Sequence, residues 1–239
     1  FEENQIQAAH RVLIPHDDPT KTSSKRTGIV RAYAANTNQG LVRNYNEDRV
    51  SIITNLLPPK GRTDINLEEW PKCSYFGIYD GHGGSLCADF LRDNLHTFVI
   101  MESCFPDNPT EAIMRGFAKA EQAFIEKVYD AGTSTLKDKS GSCAIVVLIV
   151  QDVCYTANVG DSRAVLSSDN GTKHYALSND HKPGDESEAQ RIKDAGGEIY
   201  YRTATNQIVT YDKDKMDKYQ ELNCAGPLRV HPGRLSVAR

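Results

Sequence analysis

Three short acidic segments hold the residue types in this sequence that are best suited to chemistry. Their candidate ligands and proton carriers are Glu47 with Asp48, Asp80 with His82, and Asp161. An Asp-Gly pair by itself usually marks only a turn, but all three segments lie between β-like stretches and offer oxygen ligands plus one histidine. Hard cations such as Mg²⁺ and Mn²⁺ prefer oxygen ligands. The combination therefore predicts a magnesium or manganese site that handles phosphate.

Glu47, Asp48 and Asp80 would share one metal site if the strands beside them are neighbours in a sheet. The carbonyl of Gly81 could add a further oxygen, because no side chain blocks the approach to it. Taken alone, Glu47 and Asp48 would more often belong to a solvated turn. Their combination with Asp80, Gly81 and His82 reverses that balance, since Mg²⁺ keeps several waters and needs few protein carboxylates at fixed positions.

His82 and Arg43 are the candidates for direct contact with a substrate. His82 follows Gly81 and could donate a proton to the leaving group of a metal-bound substrate. Arg43 precedes Glu47 by four residues, and its planar guanidinium suits bidentate binding of phosphate. Alone, His82 would more often be a surface or core-packed histidine, and Arg43 a solvated charge. Both assignments therefore depend on the acidic segments beside them.

The surrounding pattern predicts strands and helices in blocks. A short apolar strand over 74–79 ends at Asp80, and glycines at 81, 83 and 84 allow a sharp turn into a helix that starts near Ser85. The other predicted elements are strands over 29–35 and 50–54, a helix over 108–129, an antiparallel meander over 143–177, and a helix over 186–195. Strict βαβ alternation is absent, so the predicted class is α+β with antiparallel sheets.

Two segments are predicted to lie outside the regular core. Residues 1–25 are polar and contain Pro15 and Pro19, which predicts an N-terminal extension or an edge strand leading into one domain over 26–239. Residues 203–223 are polar and rich in lysine. That composition predicts a mobile surface excursion.

Composition excludes several classes of protein. The sequence has 239 residues, of which 39% are hydrophobic and 25% charged, as is ordinary for a globular protein with a real core. A net charge of −4 without a long basic stripe argues against nucleic acid as a partner. No apolar stretch approaches the ~18 residues of a spanning helix, so no membrane span is expected.

The six cysteines show no Cys-x-x-Cys spacing and mostly fall inside apolar stretches. This pattern predicts buried free thiols and a reducing compartment, cytoplasmic or nuclear. Because the sequence begins with Phe1 and not with Met, a targeting segment further upstream would be invisible.

Seven segments of the sequence occur in an order typical of one enzyme family. They are Arg43-x-x-x-Glu47-Asp48, Phe76 to Gly84, Ser140 to Ala144, Asn158 to Ala164, Asp180 to Pro183, Glu188 to Gly197, and Gly233 to Arg239. Together they resemble the motifs of the metal-dependent PP2C (PPM) protein serine/threonine phosphatases. The resemblance extends from about Ile29 to Arg239.

The resemblance implies a central antiparallel β-sandwich flanked by helices in α-β-β-α layers, with a two-metal centre of Mg²⁺ or Mn²⁺ at one end. In this family the residue matching Asp80 bridges both metals. Those matching Glu47 and the Gly81 carbonyl bind one of the metals, and the residue matching Asp48 holds metal-bound water.

The same resemblance assigns roles in the reaction. Arg43 would bind the substrate phosphate, His82 would act as general acid, and Asp161 would help a weaker third metal site. The implied reaction is hydrolysis of phosphoserine and phosphothreonine in phosphoprotein substrates, by in-line attack of a metal-bridging hydroxide without a phosphoenzyme. We expect the protein to act as a monomer.

The sequence departs from the family pattern after Arg239. Family members continue into strands with two further aspartate corners, which complete the second metal site. We therefore expect a PP2C-like domain over 26–239 that lacks its C-terminal strands and has one metal site short of ligands. The preferred explanation is a piece of a longer phosphatase; the alternative is a noncatalytic pseudophosphatase that acts as a binding or scaffolding module.

Overall fold

The computed structural model describes residues 20–24, 29–212, 219 and 224–239. Within these residues the helices are α1 (Leu86–Ile100), α2 (Pro109–Val128) and α3 (Glu186–Asp194), with 3-10 turns at Leu67–Glu69 and Asp169–Gly171. The strands are β1 (Lys21–Ser24), β2 (Ala32–Ala35), β3 (Arg49–Ile53), β4 (Cys73–Tyr79), β5 (Gly81–His82), β6 (Tyr129–Asp130), β7 (Thr135–Leu136), β8 (Gly141–Ser142), β9 (Ala144–Val150), β10 (Val153–Val159), β11 (Val165–Ser168), β12 (Lys173–Ala176), β13 (Glu198–Thr203), β14 (Ile208–Thr210) and β15 (Cys224–His231). Most of the predicted N-terminal extension lies outside the described residues, but β1 lies in it and pairs with β2.

An antiparallel four-stranded sheet in the order β10-β9-β4-β3 positions the acidic segments. Its register includes the pairs Arg49↔Tyr79, Ile78↔Ile145 and Ala144↔Val159. Because neighbouring strands run in opposite directions, the starts of β3 and β9 and the ends of β4 and β10 all lie at one end of the sheet. The three acidic segments therefore meet at that end.

The remaining strands form small antiparallel sheets. They are the hairpins β1-β2, β6-β7 and β11-β12, the short pair β5-β8, and the three-stranded sheet β14-β13-β15. The predicted α+β class with antiparallel sheets is thereby confirmed.

The main core lies between the four-stranded sheet and the pair α1 and α2. Alternate residues of β4 and β9 point towards the helices, as the two-residue period of a strand requires, and Tyr75, Tyr79, Val146 and Leu148 are fully buried there. The opposite face of the sheet is more open, since Ile78 is 48% exposed. A cavity of about 270 Å³ lies on that face, between the sheet and residues of β2.

Helices α1, α2 and α3 confirm the three predicted helices. The local capping contacts are those expected from the sequence. Asn108 accepts a hydrogen bond from the backbone N–H of Glu111 at 3.2 Å, and Pro109 occupies the first turn of α2. After α3, Gly196 has a positive φ of 78°, a conformation that glycine adopts readily at a helix end.

The predicted excursion over residues 203–223 contains regular structure in the part that the structure describes, residues 203–212 and 219. Strand β14 pairs with β13 there. The rings of Tyr201, Tyr211 and Tyr219 form a cluster with centroid separations of 5.0 to 6.1 Å, and Tyr219 is 6% exposed. These aromatic contacts bury apolar surface at described residues of a stretch whose overall composition is polar.

The predicted burial of the cysteines holds for half of them. Cys73, Cys87 and Cys143 are buried, whereas Cys154 is exposed and the other two are half-buried. All six cysteines lie among the described residues and are free. Within the same part of the chain, no helix has both the length and the apolar composition required to cross a bilayer.

Arg62 fastens the long loop after β3 to the end of α1. Its guanidinium donates to the carbonyl oxygens of Glu102, at 2.8 Å, and of Phe105, and it forms an ion pair with Asp64 at 2.6 Å. The Arg62 side chain is 6% exposed. The guanidinium also lies 3.4 Å from the carbonyl oxygen of Ile100, the last residue of α1. Carbonyl groups in the last turn of a helix have no partner inside the helix, so Arg62 supplies a donor there.

The Arg62→Ala substitution is expected to lower the free energy of unfolding by about 1–3 kcal/mol, because it removes the side-chain donor to the carbonyl group of the buried residue Phe105. Chemical denaturation followed by the fluorescence of Trp70, the single tryptophan of the sequence, measures this change. Arg115 is a matched control, since its side chain is 53% exposed in an ion pair with Glu111. The Arg115→Ala change should cost less than about 0.5 kcal/mol, and an equal effect of both substitutions would contradict the assigned role of Arg62.

Candidate metal and phosphate site

A cleft of about 170 Å³ lies at the end of the four-stranded sheet where the acidic segments meet. Five of the residues singled out from the sequence line it: Arg43, Glu47, Asp48, Asp80 and Gly81. The pairing of Arg49 with Tyr79 places the preceding Asp48 and the following Asp80 on adjacent strand ends, which lie about 5 Å apart in a sheet. The condition that the two strands be neighbours is therefore met.

Gly81 allows the first two acidic segments to approach each other closely. A β-carbon added at Gly81 would lie 2.4 Å from the carbonyl oxygen of Glu47 and 3.1 Å from its β-carbon. Such contacts are far inside van der Waals distance, so only glycine fits between the two segments. Gly81 itself lines the cleft together with Glu47, Asp48 and Asp80.

The carboxylate of Glu47 is held in one orientation by two donors. The backbone N–H of Gly84 donates to its Oε1 at 2.6 Å, and the hydroxyl of Tyr45 donates to the same oxygen at 3.2 Å. A carboxylate oxygen that is occupied in this way leaves the other oxygen of the group for a cation or water.

Arg49 anchors the first acidic segment to the helical layer. Its guanidinium donates to the backbone carbonyls of Asn46 and Asp48, both at 2.9 Å, and forms an ion pair with Asp89 of α1 at 2.7 Å. The loop before β3 is thus tied to a regular element, which limits the movement of Glu47 and Asp48.

Partial desolvation, with neighbouring negative charge adding to it, raises the pKa of two carboxyl groups in the cleft. For Asp80 the main cause is partial desolvation, followed by the negative charges of Asp48 and Asp161. For Asp48 it is again desolvation, with Glu47 adding to it, while the backbone N–H of Gly81 acts in the opposite direction. A bound cation would relieve this repulsion.

Asp161 lies behind Asp80, next to Cys143, and is not part of the lining of the cleft. The Cys143 thiol is 3.7 Å from Oδ1 of Asp161, and the backbone N–H of Cys143 donates to the carbonyl of Asp80 at 2.8 Å. Asp161 is close enough for its charge to raise the pKa of Asp80. It is a neighbour of the site, as a supporting residue would be.

His82 also lies beside the cleft and not in its lining. It belongs to β5, which pairs with β8, and its imidazole packs against Gly141, where an added β-carbon would lie 2.4 Å from Nε2. The imidazole lines a separate cavity of about 490 Å³ between the helices and the C-terminal segment. Its positive form would still act on the cleft, because the charge of His82 lowers the pKa of Asp80.

The donor set fits a hard cation that keeps much of its water. Among the described residues, no group of three or more His, Cys, Asp or Glu side chains lies close enough to hold a metal ion. Mg²⁺ and Mn²⁺ need fewer protein ligands, since waters and carbonyl oxygens complete their coordination. The carboxylates of Glu47 and Asp80 with the carbonyl of Gly81 form such a partial oxygen set.

Four residues beside the site were not singled out by the sequence pattern. Arg49, Tyr45, Cys143 and His181 act through the anchoring contacts described above or, for His181, through two hydrogen bonds to Gly160. Tyr45, Cys143 and His181 belong to segments of the family-like motifs and Arg49 directly follows one, but their residue types do not indicate a supporting role. Such roles depend on contacts between distant parts of the chain.

Comparison with known proteins shows which family the chain is similar to. The family model described as Protein phosphatase 2C matches residues 47–210. A probable protein phosphatase 2C of Caenorhabditis elegans is 39% identical over 145 residues, which cover 60% of this chain and 39% of that protein. Protein phosphatase 2C homolog 2 of Hypocrea jecorina is 35% identical over 179 residues, covering 74% of this chain and 38% of that protein. The matches span about two fifths of the length of these curated relatives.

Solved structures show the same fold. The crystal structure of serine-threonine phosphatase 2C from Toxoplasma gondii aligns with a TM-score of 0.54 at 19% identity, covering 78% of this chain and 61% of that one. The structure of a C. elegans sex determining protein aligns with a TM-score of 0.54 at 22% identity, covering 82% of this chain and 43% of that one. The layered α+β arrangement is therefore shared with these proteins.

Proposed function

Because this chain belongs to the protein phosphatase 2C family, we propose that the full-length protein hydrolyses phosphoserine and phosphothreonine in protein substrates, with Mg²⁺ or Mn²⁺ as cofactor. The observation that carries the proposal is the convergence of Glu47, Asp48 and Asp80 beside Arg43 in one cleft of about 170 Å³. Anionic ligands for a cation and a guanidinium for phosphate are the two parts that hydrolysis of a phosphate monoester requires.

The carboxylates of Glu47 and Asp80 and the carbonyl of Gly81 would hold the cation. Asp48 would accept hydrogen bonds from its waters, and Asp161 would support a weaker site behind Asp80. A bound cation would neutralise phosphate charge and make water a stronger nucleophile at neutral pH. The pKa values of Asp48 and Asp80 are raised by desolvation first and by neighbouring carboxylates second, and the proximity of these negative charges supports the assignment.

Arg43 and His82 would act on the substrate. Arg43 is exposed at the cleft, where its guanidinium is free to orient two phosphate oxygens. His82 would donate a proton to the departing serine or threonine oxygen. Its position next to the cleft supports this role, because hydrogen bonds of a catalytic acid often tighten only when substrate is bound.

Hydrolysis of p-nitrophenyl phosphate and of a phosphoserine peptide by the full-length protein tests the proposal. Both rates should depend on added Mn²⁺ and vanish with a chelator. The competing function is a noncatalytic binding or scaffolding module, for which the small number of converging ligands among the described residues is the supporting observation. Absence of metal-dependent hydrolysis in the full-length protein would favour the module.

The His82→Ala substitution is expected to slow hydrolysis of the phosphoserine peptide by about 10²-fold, while p-nitrophenyl phosphate is affected much less. An alkoxide leaves poorly without a proton, whereas nitrophenolate leaves readily. Steady-state rates with both substrates measure the difference. His174 is exposed on β12, and His174→Ala should leave both rates unchanged. Equal slowing of the two substrates by His82→Ala would exclude His82 as the proton donor.

A further inference from the structure

Cys143 joins the Asp80 segment to the Asp161 segment. Its backbone N–H donates to the Asp80 carbonyl at 2.8 Å, and its thiol lies 3.7 Å from Oδ1 of Asp161, within the range of a weak S–H···O hydrogen bond. The residue is 3% exposed. The thiol is closed off from solvent and directed at Asp161, so it is placed to act as a hydrogen-bond donor.

Gly160 is packed tightly against this thiol. A β-carbon at Gly160 would lie 2.3 Å from Sγ of Cys143, and Gly160 has a φ of 109°. On its other side, Gly160 donates from its N–H to Nδ1 of His181 at 3.2 Å and accepts from the backbone N–H of His181 at 2.9 Å. The turn that carries Asp161 is thus held between His181 and Cys143.

The size of the Cys143 side chain and its S–H donor both affect the position of the Asp161 segment. Strand β9 starts at the next residue, and its neighbours β4 and β10 end at Tyr79 and Val159. Cys143 therefore lies between the ends of the strands that carry Asp80 and Asp161. A smaller side chain at position 143 would let the turn at Gly160 move inwards. A side chain without a donor would remove the hydrogen bond that holds the Asp161 carboxylate.

We propose that Cys143 is a positioning residue that sets the separation of the Asp80 and Asp161 carboxylates, and thereby the affinity of the site for a divalent cation. The proposal rests on the proposed function insofar as the cation binds beside Asp80. Residues that orient metal ligands typically change metal affinity by about 10- to 100-fold when they are replaced.

Cys73 is a matched control for the loss of a buried thiol. It is 2% exposed, burial raises the pKa of its thiol to about 11, and it lies on the same sheet at the opposite end of β4. Its thiol donates to the carbonyl of Pro71 at 3.3 Å. Replacing Cys73 removes the same atoms from the core without touching either acidic segment.

Mn²⁺ binding to the full-length protein, measured by electron paramagnetic resonance of the free ion, tests the proposal. The Cys143→Ala change should weaken the affinity about tenfold, Cys73→Ala should leave it close to that of the wild type, and Cys143→Ser should restore most of it because a hydroxyl can donate to Asp161. Wild-type affinity in Cys143→Ala, or equal weakening by the alanine and serine variants, would overturn the proposal.

The S–H stretching band in the infrared spectrum of the metal-free protein gives a second readout. The difference between wild type and Cys143→Ala identifies the Cys143 band, and Asp161→Asn should move that band to higher frequency because the carboxylate acceptor is lost. A band that does not move would overturn the proposal. If the wild type binds no Mn²⁺, the proposed function fails, whereas the infrared result still decides whether Cys143 contacts Asp161.

Discussion

Asp80→Asn is expected to reduce the metal-dependent kcat/KM of the full-length protein by about 10³-fold, because an amide cannot supply the negative charge that holds a divalent cation beside the phosphate. Mn²⁺-dependent hydrolysis of p-nitrophenyl phosphate measures the loss. A matched control is Asp152→Asn, which changes an exposed aspartate in the turn between β9 and β10, at the opposite end of the sheet. Asp80→Asn with wild-type activity would remove Asp80 from the site.

In the absence of metal, Asp80→Asn is expected to raise the stability of the folded protein, although it lowers the metal-dependent activity. The pKa of Asp80 is raised in the folded protein, so the folded state binds more protons than the unfolded chain at pH values between the ordinary and the raised pKa. The stability of the metal-free protein therefore falls as the pH rises through that range, and the loss remains at neutral pH. Asp80→Asn removes this loss.

Thermal unfolding in a chelator, compared between pH 4 and pH 7, measures the stability effect. We expect the melting temperature of Asp80→Asn to exceed that of the wild type at pH 7, with a smaller difference at pH 4. Because Asp80 is exposed at the cleft, solvent screening keeps the effect small. A variant that is less stable than the wild type at neutral pH without metal would show that Asp80 has a structural partner instead.

Gly81→Ala is expected to lower kcat/KM by about 10²-fold, because displacing reacting groups by about 1 Å has effects of that size. The new β-carbon would lie 2.4 Å from the carbonyl oxygen of Glu47. The carbonyl oxygen is a backbone atom and a β-carbon is bonded directly to the backbone, so neither can rotate away. The steric clash is relieved only if the two acidic segments separate. Overpacking of this kind also destabilises a protein by about 1–3 kcal/mol.

Mn²⁺ affinity and kcat/KM, measured together with the melting temperature, separate the local effect of Gly81→Ala from general unfolding. Gly132 is a suitable control, since it is exposed and a β-carbon there would approach no atom closer than 3.3 Å, namely the side-chain oxygen of Asp130. Gly132→Ala should leave all three quantities near their wild-type values. Unchanged Mn²⁺ affinity in a folded Gly81→Ala variant would contradict the close approach of the two segments.

The helices and the central strands were predictable because their signals are local. Asn108, Pro109 and Glu111 together determine where α2 begins, through one side-chain hydrogen bond and one fixed backbone angle. The alternation of inward and outward residues in β4 and β9 follows from the two-residue period of a strand. Such features require no knowledge of distant parts of the chain.

The segment over 203–223 shows where local reasoning stops. Its composition is polar, yet Tyr201, Tyr211 and Tyr219 pack together, and the hydroxyl of Tyr219 donates to the carbonyl of Asp212 at 2.9 Å. Strand β15, which pairs with β13, was not predicted either. The tyrosine cluster and strand β15 depend on contacts between separate stretches of the chain. The residue types alone do not predict such contacts.

The sequence by itself determined the chemistry of the candidate site. Oxygen-bearing side chains at Glu47, Asp48 and Asp80, with Arg43 four residues before Glu47, favour a hard cation and an anionic substrate. This inference holds because the preferences of carboxylate and guanidinium groups are properties of the residues themselves. It required only that the β-like segments end near these residues.

The tertiary structure decided which of these groups face one another. The register of β3, β4, β9 and β10 brings the acidic segments to one end of the sheet, whereas His82 packs on Gly141 beside the cleft. The link through Cys143 also emerges only in three dimensions, since its partners lie 63 positions before it and 18 after it. Strand register and close packing depend on the whole chain, so spacing along the sequence predicts candidate ligands of the site but not the residues that hold them in place.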